Sequence, residues 1–116
     1  MSPRKDVVEA YIEGFRRGDH ELILSCLTED VVWVLHGYTT LTGKDAFDKE
    51  IENAAFTGKP TLTIDQLIEE GDTVVAVGSG QADRREGGTL NFVFSDVFTF
   101  TGHKISRLET FQVNLD

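Results

Sequence analysis

The stretch from Leu90 to Val113, LNFVFSDVFTFTGHKISRLETFQV, holds two carboxylates that a strand pair would bring together. Read as two strands joined at Gly102-His103, it alternates with period two. Leu90, Phe92, Phe94, Asp96, Phe98 and Phe100 then share one face. A two-residue turn sets Phe100 against Ile105, Phe98 against Arg107, Asp96 against Glu109 and Phe94 against Phe111. A carboxylate among phenylalanines is desolvated, and a second one opposite disfavours double ionisation. One of the pair is therefore expected to hold its proton near neutral pH. Such a group can exchange a proton with a bound molecule. Arg107, diagonal to Asp96, offers the alternative of a structural ion cluster. A one-residue slip in register would carry Arg107 and Glu109 to the other face and dissolve the constellation.

Two further side chains could join this chemistry. Tyr11 is the one member of the helical stripe Val7, Val8, Tyr11, Ile12 and Phe15 with a polar tip, which burial would oblige to find a partner, by default a backbone carbonyl. His36 ends the apolar run VVWVLH. Alternation turns it away from the face shared by Trp33 and Leu35, so it reaches a pocket only if the strand end bulges inward. Cys26, the single cysteine, sits among Leu22, Ile23 and Leu27 and reads as a buried, inert thiol. Three scattered histidines give no zinc spacing, and neither a metal nor another cofactor is expected.

The elements that must position these residues follow from pattern. Ser2 and Pro3 open a helix that runs to Gly18, and Asp19 caps a shorter one through Leu27. Val31 to His36 is a strand, residues 37–43 a loop, and Asp45 to Phe56 a third helix with Phe47, Ile51, Ala54 and Ala55 on one side. Strands Thr61 to Glu69 and Thr73 to Arg84 follow, and a Gly87-Gly88 turn leads into the hairpin that carries Asp96. A two-residue turn there sets Ser79 opposite Asp96 and Val77 opposite Phe98. Gly78 and Gly80 flank Ser79 and mark a bend that would curl the sheet around a cavity. Helices first and antiparallel strands after is an α+β order, in one domain over residues 1–116.

Composition excludes some partners. A formal net charge of −9 disfavours nucleic acid and anionic membrane, which need a positive footprint. The charged start lacks a signal peptide's character, no apolar run is long enough to span a membrane, and the protein reads as cytoplasmic. Val93, Ser95, Val97 and Thr99, opposite Ser106, Leu108 and Thr110, leave an outer sheet face apolar enough to predict a homodimer.

The run AYIEGFRRGDHELILSCLTEDVVWVLHG, the helix start Gly-Lys-Asp-Ala-Phe and the closing SDVFTFTGHKISRLETF resemble the NTF2-like, or SnoaL-like, superfamily, closest to its small ketosteroid-isomerase-like and polyketide-cyclase-like members. The resemblance covers nearly the whole chain. It implies a cone: a strongly curved antiparallel sheet closed by three helices around a hydrophobic pocket, commonly dimeric through the sheet. It places Tyr11 where the steroid isomerases keep their oxyanion-hole tyrosine and Asp96 where they keep its protonated aspartic acid partner. The position of their aspartate base is Leu35 here, which leaves His36 or Glu109 as a replacement.

Two functional classes follow. In the first, a small apolar molecule with a carbonyl or phenol binds against Phe15, Trp33, Leu35, Phe94, Phe98, Arg107 and Phe111. Tyr11, Asp96, Glu109 and His36 then transfer protons without a cofactor, as an isomerase, cyclase or dehydratase would. In the second, the same cone is a non-catalytic ligand-binding or protein-association module. An open cavity with convergent polar tips favours the first, and one plugged by Trp33, Phe94, Phe98 and Phe111 favours the second.

Overall fold

The computed structural model describes residues 2–52 and 55–115. Helix α1, Pro3–Arg17, starts where expected: the Lys5 N–H donates to Ser2 Oγ at 3.1 Å, and Gly18 ends the helix in the left-handed conformation at φ 65°. Asp19 caps α2, His20–Ser25, accepting from the Leu22 N–H at 3.0 Å. Strand β1, Leu27–Leu35, is longer than its apolar run, and β2, Thr39–Thr42, doubles back along it inside the stretch expected as a loop. Three threonines in that stretch carry the β-branched preference for such a strand.

Helix α3, Lys44–Ile51, is shorter than expected. Glu52 leaves helical geometry at φ −114°, ψ 81°, and Phe56 already belongs to β3, Phe56–Glu70. Ala54, expected on the apolar side of this helix, lies outside the described residues. Pro60 falls within β3, where the ladder is interrupted between Thr57 and Thr61. As β3 is the sheet's edge strand, the missing N–H is tolerated there. Strands β4, Thr73–Arg84, β5, Thr89–Thr101, and β6, Lys104–Asn114, complete a curved six-stranded sheet in the order β2-β1-β6-β5-β4-β3. Every pairing is antiparallel except that of β1 with β6. The three helices and this unclosed sheet make the expected α+β cone.

Two registers differ from expectation, and both decide what faces inward. The β5–β6 turn holds, with Thr101 opposite Lys104 and Phe100 opposite Ile105, but the next pair is Thr99 with Arg107. Ser106 is thus one extra residue, a β-bulge, and its hydroxyl donates to the Thr99 carbonyl at 3.2 Å. Beyond it every β6 side chain changes face: Asp96 opposes Thr110, Phe98 opposes Leu108, and Glu109 opposes Val97. Leu108 and Thr110, expected outside, are buried, while Arg107, Glu109 and Phe111, expected inside, are on the outer face. The second difference lies between β4 and β5. The loop spans residues 85–88, closed by the Arg84 N–H donating to the Gly88 carbonyl at 2.9 Å, so Ala76 opposes Asp96 and Ser79 opposes Val93 on the outer face.

Gly78 and Gly80 face inward beneath aromatic rings. A Cβ on Gly80 would lie 2.5 Å from Phe92 Cζ and 2.9 Å from the Thr61 carbonyl oxygen, and one on Gly78 would lie 2.1 Å from the Thr63 carbonyl oxygen. The glycines let the two rings lie close over β4, beside the β3 bulge at Asp65. At the other end, His20 ties α2 to α3. Its Nδ1 is 2.6 Å from Asp48 Oδ1, its Nε2 meets Glu52, and these hydrogen bonds, Asp48's first, hold the imidazole above its ordinary pKa. No helix among the described residues is long and apolar enough to cross a membrane. Gly80→Ala is expected to cost about 1–3 kcal/mol, as other overpacked positions do. Urea unfolding that leaves it as stable as wild type would show that Phe92 has room to move.

Candidate functional site

The sheet's concave face and the helices enclose a cavity of about 590 Å³, within the usual range for small-molecule sites. Tyr11, Trp33 and Thr110 line it with polar tips, each under a tenth exposed. Phe15, Leu35, Leu62, Phe92 and Phe94 form the walls, and the exposed Glu52, Lys59, Arg85 and Gln112 stand at the mouth. Asp96 borders the same cavity at mid-strand in β5.

α1 supplies Tyr11 because its apolar stripe packs on the sheet. The ring makes edge contacts with Phe98 at 5.3 Å, Phe15 at 5.1 Å and Phe47 at 6.1 Å between centroids. Burial, then the nearby charge of Asp96, then Cys26 push the phenol well above its ordinary pKa, so Tyr11 stays protonated and is a fixed donor. β5 supplies Asp96 between Phe94 and Phe98. Burial pushes its carboxyl up to about 7, opposed by a hydrogen bond from Thr110, which favours the charged form. Asp96 Oδ1 is buried without a partner. Trp33, stacked on Phe47 at 4.3 Å, donates its indole N–H to Thr110 Oγ1 at 2.9 Å.

The structure brings together Tyr11, Asp96, Phe15, Trp33, Leu35 and Phe94 of the residues singled out in the sequence. Phe98 stands behind the wall, fully buried in the core. The others are elsewhere. His36 is exposed on the outer face, its Nε2 3.1 Å from Glu109 Oε1 and its ring stacked on Phe111 at 4.3 Å, while Arg107 Nε lies 3.7 Å from Glu109 Oε2. A role in the cavity for His36, Glu109, Arg107 or Phe111 therefore fails, because the bulge at Ser106 reverses β6 and no bulge turns the end of β1 inward. Asp96 faces a threonine, so its raised pKa comes from burial rather than from a second carboxylate. The aromatic rings line the space instead of plugging it.

Thr110 is the polar residue that the sequence reading misses. A signal was present: Ile105 and Leu108 are both apolar at a spacing of three, which uninterrupted alternation cannot bury on one face. Among the described residues, no cluster of His, Cys, Asp and Glu is arranged to hold a metal ion.

The sign of the pH effect follows from the two states of Asp96. Its pKa is near 3.8 when unfolded and about 7 when folded, so the folded chain binds the extra proton between these values. Stability falls as pH rises through that window and levels above it, by about 4 kcal/mol as an upper bound. Asp96→Asn lacks this penalty. Its stability relative to wild type, measured by urea unfolding, should be greater at pH 8 than at pH 5, and an equal difference at both would refute the assignment.

Comparison with known proteins agrees with this architecture. An NTF2-like protein of unknown function from Burkholderia pseudomallei superposes with a TM-score of 0.88 at 24% identity, over 96% of this chain and 91% of that one. TerC, co-crystallised with polyporic acid, gives 0.85 at 28% identity over 95% and 91%. A SnoaL-like polyketide cyclase assignment belongs to a protein from Shewanella putrefaciens, with a TM-score of 0.85 at 10% identity over 97% and 90%. No curated protein matches the chain. The SnoaL-like domain model matches residues 8–108, and the chain belongs to the SnoaL-like family, with an NTF2-like fold.

Proposed function

We propose that the cavity binds a small apolar molecule bearing a phenol or carbonyl oxygen and holds that oxygen with Tyr11 and Asp96. The observation that carries this reading is a carboxyl of pKa about 7 bordering the same apolar cavity as a phenol that stays protonated. Two donors in a low-dielectric site favour a ligand oxygen on which negative charge develops. A group poised near neutrality can also give or take the proton itself. Cofactor-free proton transfer of the isomerase, cyclase or dehydratase type follows, with Asp96 as the exchanging group. TerC's co-crystallisation with polyporic acid, at 28% identity, supports a ligand of that kind.

A second reading, binding without turnover, is favoured by Leu35, which lines the cavity where the isomerases' base would stand. The two readings share the binding step. Tyr11→Phe should weaken binding of phenols and of polyporic acid about tenfold or more, the cost of a donor to a charged oxygen, and Asp96→Asn should weaken it less. For a phenol ionised throughout, wild-type affinity measured by calorimetry should fall as pH rises through about 7, where Asp96 ionises. If both variants bind the panel as wild type does, no oxygen site exists there.

The outer sheet face is the proposed homodimer surface. Phe111 is 45% exposed, Val113 60% and Val93 40%, neighbours on β5 and β6 that form one apolar patch. A two-fold axis through it would bury the patch against itself. Sedimentation at micromolar concentration should give a dimer and Phe111→Asp a monomer. A wild-type monomer would remove the claim.

A further inference from the structure

Thr110 lies directly opposite Asp96 on the inner face, so their Cβ atoms are cross-strand neighbours at about 4.5–5.5 Å. Trp33 approaches the same hydroxyl from β1, its neighbour Leu35 being the residue that opposes Thr110 in the parallel pairing. A hydroxyl has one hydrogen and two lone pairs. The indole N–H can only donate, so the 2.9 Å contact occupies a Thr110 lone pair and leaves the hydroxyl hydrogen for another acceptor. Asp96 is that acceptor. It faces Thr110 directly across the strand pair, and a hydrogen bond from Thr110 favours its charged form.

We infer that Trp33 and Thr110 are positioning residues for Asp96. The indole fixes the Thr110 hydroxyl as a donor, and Thr110 directs that donor to the Asp96 carboxyl across the strand pair. The direction of the chain is set by Trp33, since an indole cannot reverse roles. Rigid burial keeps it so: Trp33 is 7% exposed and Thr110 9%. The arrangement works against burial, which favours the neutral acid, by favouring the charged form through one hydrogen bond. The carboxyl is thereby kept close enough to neutrality to be used in both states. The value of this tuning to a ligand rests on the function proposed above, but the tuning itself is a property of the empty protein.

The experiment is a side-chain carboxyl NMR titration of Asp96 in the unliganded protein, so a failure to bind phenols leaves it untouched. In Thr110→Val the midpoint should rise by about one pH unit, the loss of one hydrogen bond to a charged group, and Thr110→Ser should restore it. Trp33→Phe should raise it less, because Thr110 keeps its hydrogen but loses what orients it. The double variant Trp33→Phe/Thr110→Val should titrate as Thr110→Val alone does, since Trp33 acts only through Thr110. It also leaves no orphaned indole N–H, so it serves if Thr110→Val does not fold. An unmoved midpoint in the variants lacking the Thr110 hydroxyl overturns the inference, and additive shifts overturn the part given to Trp33.

Discussion

The Ser106 hydroxyl donates to the Thr99 carbonyl, and that contact accommodates one residue too many on β6. From this point on, the strand's side chains exchange faces. Ile105 and Leu108 can both be fully buried at a spacing of three, Thr110 comes to face Asp96, and Glu109 leaves. A β-bulge also increases local twist. It sits beside the β1–β6 pairing, whose own register shifts between Leu27 and Val32. The interior chemistry and the outer surface are therefore set together: the same residue count that puts a hydroxyl beside the carboxyl puts Phe111 and Val113 into solvent.

The cavity persists because its rings brace one another. Trp33 stacks on Phe47, Phe15 meets Trp33 edge-on at 6.2 Å, and Tyr11 makes edge contacts with Phe98 and Phe47. These offset and edge geometries are the favourable ones for aromatic quadrupoles. Phe92 and Phe94 lie over the glycines of β4, 6.2 Å apart between centroids, and pack with Phe56, Leu62 and Ile64. Close packing of these rings with one another leaves the cavity of about 590 Å³ between them and the sheet.

Most elements were legible in the sequence because capping, turn and alternation signals are local. Ser2, Asp19, Gly18 and the β4 limits Thr73 and Arg84 fall where those signals put them. What was not legible is register, which depends on counting residues through bends. Period-two reasoning placed Asp96 on the aromatic face correctly, since β5 runs unbroken there. It then failed across β6 by one bulged residue and across the β4–β5 loop by the length of a loop that the Gly87-Gly88 pair made look tight. Both errors are odd-numbered shifts, and odd shifts reverse a face. The family resemblance was robust to them because it rests on the whole pattern. The site was not, because a site is a statement about a few faces.

Asp96 is not the cavity's one carboxylate: Glu50, half-buried on α3, and the exposed Glu52 line it as well. Glu52, Lys59 and Arg85 are exposed at the mouth, and Glu109 is engaged outside with His36 and Arg107. Burial separates Asp96 and Tyr11 from these groups: it raises the carboxyl to about 7 and keeps the phenol protonated. With a pKa near neutrality, Asp96 is present in both the form that takes a proton and the form that returns it.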